Sequence, residues 1–141
     1  IRNVAGVLSL NIAAVGDVFS ASMTTGAMSL NSGFAYKFSA LTYSASITPN
    51  FSIGNYFTIT ANNGSAFTIN APSAAVGNGQ PVTIRVINTS GGALGAVTWN
   101  AAYHLAGAWA SPATGFSRSI TFMLDGGVYY EISRNAADVA N

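Results

Sequence analysis

Four carboxylates and one imidazole make up the acid–base chemistry of this chain: Asp17, Asp125, Glu131, Asp138 and His104. A glycosidase needs two carboxylates facing each other across a sugar. Glu131 with Asp17 is a pairing open by arithmetic, but nothing in the spacing supports it. Asp125 precedes Gly126-Gly127, where aspartate is common for backbone reasons. Asp138 lies in the polar tail. His104 with one of the many serines would make a nucleophilic site, but no Gly-x-Ser-x-Gly elbow occurs. A loop histidine in ordinary hydrogen bonds is the plainer reading. With one imidazole and no cysteine, no metal site is expected. The glycines of Ser90-Gly91-Gly92-Ala93-Leu94-Gly95 lack the Lys-Ser/Thr ending and the following helix of a phosphate loop, so they read as turn glycines. The chain is expected to be no enzyme and to carry no cofactor.

One cluster invites binding chemistry. Trp99, Tyr103, His104 and Trp109 fall within eleven residues of one another. Their ring faces and N–H and O–H donors suit a sugar, and tryptophan and tyrosine also anchor protein interfaces. The competing reading outweighs this one: aromatic side chains usually bury, so the tryptophans would fill the core or a subunit interface.

Composition narrows the partners. The 141 residues suffice for one domain with a real core. Charged residues are 6% of the chain, against about 25% in an average soluble domain, while hydrophobic residues reach 50%. A surface of Ser, Thr and Asn would explain the deficit. Burial of much of the surface in a homo-oligomer explains it better, because apolar residues recur on both faces of several segments. A net charge of +1 gives no electrostatic case for nucleic acid or an anionic membrane. No apolar run reaches the roughly 18 residues of a membrane helix, and no charged leader precedes an apolar core. The chain begins at Ile1 without a methionine, which fits a processed chain or a piece of a longer one.

These candidates must be positioned by strands. No segment has a helical period. Short alternating runs recur at about ten-residue spacing, separated by Gly, Ser, Pro and Asn, which predicts an all-β antiparallel sandwich or a jelly-roll-like domain. Residues 1–50 read as a region of short strands suited to assembly or attachment, with Val7–Ile12, Asp17–Ser22 and Ala27–Leu30 as candidates and a turn at Asn31-Ser32-Gly33. Phe34, Tyr36 and Phe38 alternate cleanly. Residues 51–141 read as a C-terminal β-module, either separate from residues 1–50 or one continuous domain with them. Val82, Ile84 and Val86 face one way, with Thr83, Arg85 and Ile87 the other. Tyr56–Ala61 and Ala66–Asn70 flank Asn62-Asn63-Gly64, and a three-residue loop there opposes Ile59 to Phe67 and Phe57 to Ile69. By the same logic a loop of Asp125, Gly126 and Gly127 opposes Leu124 to Val128, Phe122 to Tyr130 and Ile120 to Ile132, leaving one face wholly apolar. Arg85, Arg118 and Glu131 are candidates for ion pairs across strands.

The order FTITANNGSAFTINAPS, GQPVTIRVINTSGGALGAVTWN, SRSITFMLDGGVYYEISR resembles a module of tailed-phage tail fibres and related virion appendages. The resemblance covers about residues 52–134. The module commonly carries proline after the tryptophan, whereas Asn100 follows Trp99 here. The resemblance implies a virion structural protein, a homotrimer with other virion proteins as partners, and attachment to a host-surface glycan as a further role. Ile87, Met123, Tyr129 and Trp109 are the interface candidates. The alternative is a carbohydrate-binding module. A third reading is a small outer-membrane barrel, suggested by a mean hydropathy of +0.38. Its strands should be about nine to eleven residues long. Those read here are shorter, so the chain is expected not to be membrane-embedded.

Overall fold

The computed structural model describes four strands within residues 1–36 and every residue from Lys37 to Asn141. The chain divides into two compact units, Ile1–Ala35 and Tyr36–Asn141. There is no helix among the described residues, and the fold is all-β. The first unit is an antiparallel meander of β1 (Arg2–Val4), β2 (Val7–Ile12), β3 (Gly16–Ser22) and β4 (Met28–Ser29). Val7–Ile12 is a strand at the bounds its alternation predicts. The turn expected at Asn31–Gly33 and the alternation of Phe34 and Tyr36 lie outside the described residues.

The second unit spans Tyr36–Asn141. Its first strands are β5 (Phe38–Leu41) and β6 (Ser46–Ile47), which pair into the sheets that follow. Next come β7 (Tyr56–Ala61), β8 (Phe67–Ile69), β9 (Pro81–Asn88) and β10 (Val97–Trp99). β5, β7 and β9 pair in parallel within one sheet, while β6, β8 and β10 pair in parallel within a second. Each strand–loop–strand unit therefore crosses from one sheet to the other, and the next unit stacks beside it. β11 (Tyr103–His104), β12 (Phe116–Asp125), β13 (Val128–Arg134) and β14 (Val139–Ala140) complete the larger sheet. There β12 runs antiparallel to β9, β13 and β14, and β11 runs parallel to β13.

The parallel ladders correct the hairpin expected at Asn62–Gly64. Phe57, Ile59, Phe67 and Ile69 are all buried, as the apolar match requires. They belong to different sheets, so they face one core without being ladder partners. An apolar match across a loop reports a shared core; it does not report who hydrogen-bonds to whom. Close approach of successive loops holds the crossing in place. Gly95 N–H donates to Gly64 O at 3.0 Å. A Cβ on Gly95 would lie 2.6 Å from Ala66 N, and one on Gly64 would lie 2.9 Å from Ala93 O. Glycine stacks on glycine here because a side chain has no room.

The last hairpin also differs from its expected register. Asp125 pairs with Val128, Leu124 with Tyr129, Met123 with Tyr130 and Phe122 with Glu131. The loop is Gly126-Gly127, with φ of +57° and +89°, a two-residue turn that needs positive φ at both positions. A bulge beside Thr121 then leaves Ile132 without a partner, and it is 52% exposed. The bulge resets the faces halfway along the strand, so a constant register was the wrong assumption. Tyr129 turns inward at 2% exposure, and Tyr130 turns outward at 46%.

The core of the second unit draws residues from both of its sheets. Ile47, Phe67 and Ile69 come from the smaller sheet, and Ile59, Val82, Ile84, Ile120 and Phe122 from the larger. β9 alternates as its sequence predicts, with Val82, Ile84 and Val86 inward. The tail after Arg134 is docked: Val139 and Ala140 pair with Ser117 and Phe116.

Candidate functional site

Four aromatic side chains were expected to sit together, and three do. Trp99 ends β10, and Tyr103 opens β11 three residues after Asn100. Asn100 makes that tight step possible, since its Oδ1 accepts Ala102 N–H at 3.0 Å and its carbonyl accepts Tyr103 N–H at 3.0 Å. The rings of Trp99 and Trp109 meet edge-on at 5.4 Å between centroids. Trp99 also meets Tyr103 at 5.5 Å and Phe122 at 5.4 Å. Tyr103 continues the cluster to Tyr129 and Phe51. Its hydroxyl donates to Asn70 O at 3.1 Å, and burial, with Tyr129 beside it, pushes its pKa far above the ordinary phenol value. These rings pack into the core and onto its margin. His104 points the other way: it is exposed, and its ring meets the edge of Tyr130 at 5.1 Å.

A loop held by two charges places Trp109. Glu131 Oε2 accepts Ala106 N–H at 2.7 Å. The guanidinium of Arg134 pairs with the Glu131 carboxylate through two nitrogens and donates to Ala108 O at 2.8 Å and Gly107 O at 3.0 Å. Hydrogen bonds from Arg134 hold the Glu131 carboxyl below its ordinary pKa, against the opposing effect of burial. A second clamp holds the tail. Asp138 accepts Arg118 Nε at 2.6 Å and Ala113 N–H at 3.1 Å, and these bonds lower its pKa as well. Arg85 has a hydroxyl partner instead, donating Nε and Nη2 to Ser117 Oγ at 3.0 and 2.8 Å.

The pH consequence has a definite sign. A carboxyl whose native pKa is depressed contributes stability that is complete above its unfolded pKa and is lost as pH falls through the native one. The clamp on residues 106–108 should therefore weaken only in acid. Glu131→Gln should be less stable than the parent at neutral pH, and the two denaturation midpoints should converge as pH drops below the ordinary glutamate range. Urea titrations of both chains at a series of pH values check this.

Among the described side chains the carboxylates do not converge. Asp125 is exposed in the turn, and Glu131 and Asp138 are engaged in separate clamps. Asp17 lies on β3 of the other unit, and its side chain is outside the described residues. Among the described residues, no three of His, Cys, Asp and Glu are grouped to hold a metal. No helix among them is long and apolar enough to cross a membrane.

The interface candidates separate as well. Ile87 and Met123 are half-buried on the outward face of the larger sheet, and Trp109 lies at the margin of the core. Tyr129 is in the core, so it is removed from that outward set, and Tyr130 stands beside Met123 instead. Sequence reasoning missed Tyr130, Arg134 and Asn88. The signal for Tyr130 was the Gly126-Gly127 pair, which suits a two-residue turn and shifts each partner by one.

Comparison with protein-family models, curated proteins and solved structures gives no match to this chain.

Proposed function

We infer that the chain is a non-enzymatic structural module of a virion appendage of the tail-fibre, head-fibre or decoration type, assembling as a homotrimer. Its two sheets serve as the layers of a sandwich. The observation that carries the reading is the use made of the scarce charges. Glu131, Arg134, Arg118 and Asp138 tie loops and tail to the sheet, and none is left facing another in a catalytic arrangement. Stacked parallel units suit an appendage, because each addition extends the same two ladders along one direction. The sequence order that resembles phage fibre modules points to the same setting. Exposed Phe38, Ile53, Tyr130, Ile132 and Val139 are numerous for a chain with 6% charge, which supports association with further copies and with other virion proteins.

The carbohydrate-binding reading loses its main support. Trp99 packs edge-on against Tyr103 and Trp109, and Trp99 and Tyr103 both pack at a tilt against Phe122, where an open sugar platform would need free ring faces. Attachment to a host glycan remains a role for the assembled particle. Antibodies against the chain should decorate virus particles in electron micrographs of the producing culture. Label confined to cells or to soluble protein would reject the virion assignment.

A further inference from the structure

Two Asn-Gly pairs occur in the chain, Asn63-Gly64 and Asn78-Gly79. Glycine after asparagine leaves the backbone nitrogen unshielded by a side chain, so that nitrogen can reach the asparagine side-chain carbon. The structure treats the two pairs differently. Asn63 and Gly64 are exposed in the crossing loop between β7 and β8, and the Gly64 N–H makes no hydrogen bond among the described residues. Asn63 Oδ1 accepts Ser65 N–H at 3.0 Å, and the Tyr43 hydroxyl, which also reaches Ser65 O at 2.8 Å, lies 3.0 Å from the same oxygen. Asn78 is exposed as well, but the Gly79 N–H donates to Leu124 O at 2.8 Å.

We propose that Asn63 is a site of spontaneous covalent modification, converting through a succinimide to aspartate and isoaspartate, while the fold protects Asn78. The Gly64 nitrogen attacks Asn63 Cγ and a new N–C bond forms. Negative charge develops on Oδ1, where the Ser65 N–H already points, as a donor set in advance should. The Cγ–Nδ2 bond then breaks. The proton lost from the Gly64 nitrogen is balanced by one gained on the departing group, which leaves as ammonia. Water opens the ring at either carbonyl and leaves a carboxylate, with no oxidant or reductant involved. Opening at the backbone carbonyl gives isoaspartate, which adds one atom to the main chain of a loop that has no slack. Gly64 O is already bound by Gly95 N–H, and a Cβ at either glycine would collide with backbone. The modification therefore acts on the stacking of successive loops.

The test uses the unaltered chain, incubated in mildly alkaline buffer both folded and unfolded in urea. Peptide mass mapping and isoaspartate methylation follow the two sites. Unfolded, both pairs should convert at similar rates. Folded, Asn78 should slow many-fold and Asn63 should not, so that Asn63 accounts for nearly all the product. Asn63→Gln should abolish that signal, because the larger ring forms far more slowly. Folded-state conversion led by Asn78, or protection of both sites alike, would overturn the proposal.

Discussion

Asn88→Ala is expected to lower the stability of the second unit by about 3 kcal/mol. Asn88 is fully buried at the end of β9, and its side chain makes four hydrogen bonds. Nδ2 donates to Gly92 O and Pro112 O, both at 3.0 Å. Oδ1 accepts Ser90 N–H at 3.0 Å and Ser90 Oγ–H at 2.7 Å. One amide thus fixes the turn after β9 and the approach of the segment before β12. Alanine leaves Pro112 O, which is away from water, and Ser90 N–H without this partner, while Gly92 O keeps the Ser90 hydroxyl. An unmade buried hydrogen bond costs more than a made one contributes, so the loss exceeds that of an average polar truncation. Asn88→Asp should be no milder, since it loses both donors and adds a buried charge. Asn78→Ala, in an exposed loop, should stay within about 0.5 kcal/mol of the parent. Chemical denaturation of the three variants measures the contrast, and equal effects at Asn88 and Asn78 would refute the role assigned to the amide.

Phe122→Ala should cost about 3–5 kcal/mol. Phe122 has no exposed surface, and its ring touches Trp99 at 5.4 Å and Tyr103 at 5.1 Å between centroids. The position joins β12 to the small sheet through Trp99 and to β11 through Tyr103. Emptying it removes apolar burial and leaves a cavity that two ladders prevent from closing. Because the partner is a tryptophan, the loss should also appear as a changed near-ultraviolet circular dichroism signal. Phe122→Leu should retain most of the stability, with a cost under about 1.5 kcal/mol. A near-neutral Phe122→Ala would mean that this ring is not the joint between the sheets.

These two positions also show what the chain reveals by itself. Phe122 is legible: it alternates with Ile120 and Leu124 in a long strand, and all three are buried. β9 is equally plain. Asn88 is not legible, because its value lies in partners at Gly92 and Pro112 that no local pattern marks. Parallel pairing escapes for a related reason. Tyr56–Ala61 pairs with segments on either side of it in sequence, Phe38–Leu41 and Pro81–Asn88, not with the run just after its own loop. Hydrophobic alternation gives the facing of a strand and says nothing of its neighbours. The bulge beside Thr121 defeats any register read from one end of the hairpin. In the aromatic cluster, residue types suggested both a binding face and a core. The edge-on packing of Trp99 on Trp109 at the margin of the core is a relation that residue types alone do not mark.

The account rests on association, and the mass of the purified chain in solution tests it most directly. Light scattering at micromolar concentration should give about three times the 14.4 kDa of one chain. Met123→Asp places a charge on the outward face beside Tyr130, and it should shift the mass toward a single chain while the circular dichroism stays that of a folded β protein. A stable, folded species of one chain's mass in the parent protein would contradict the account.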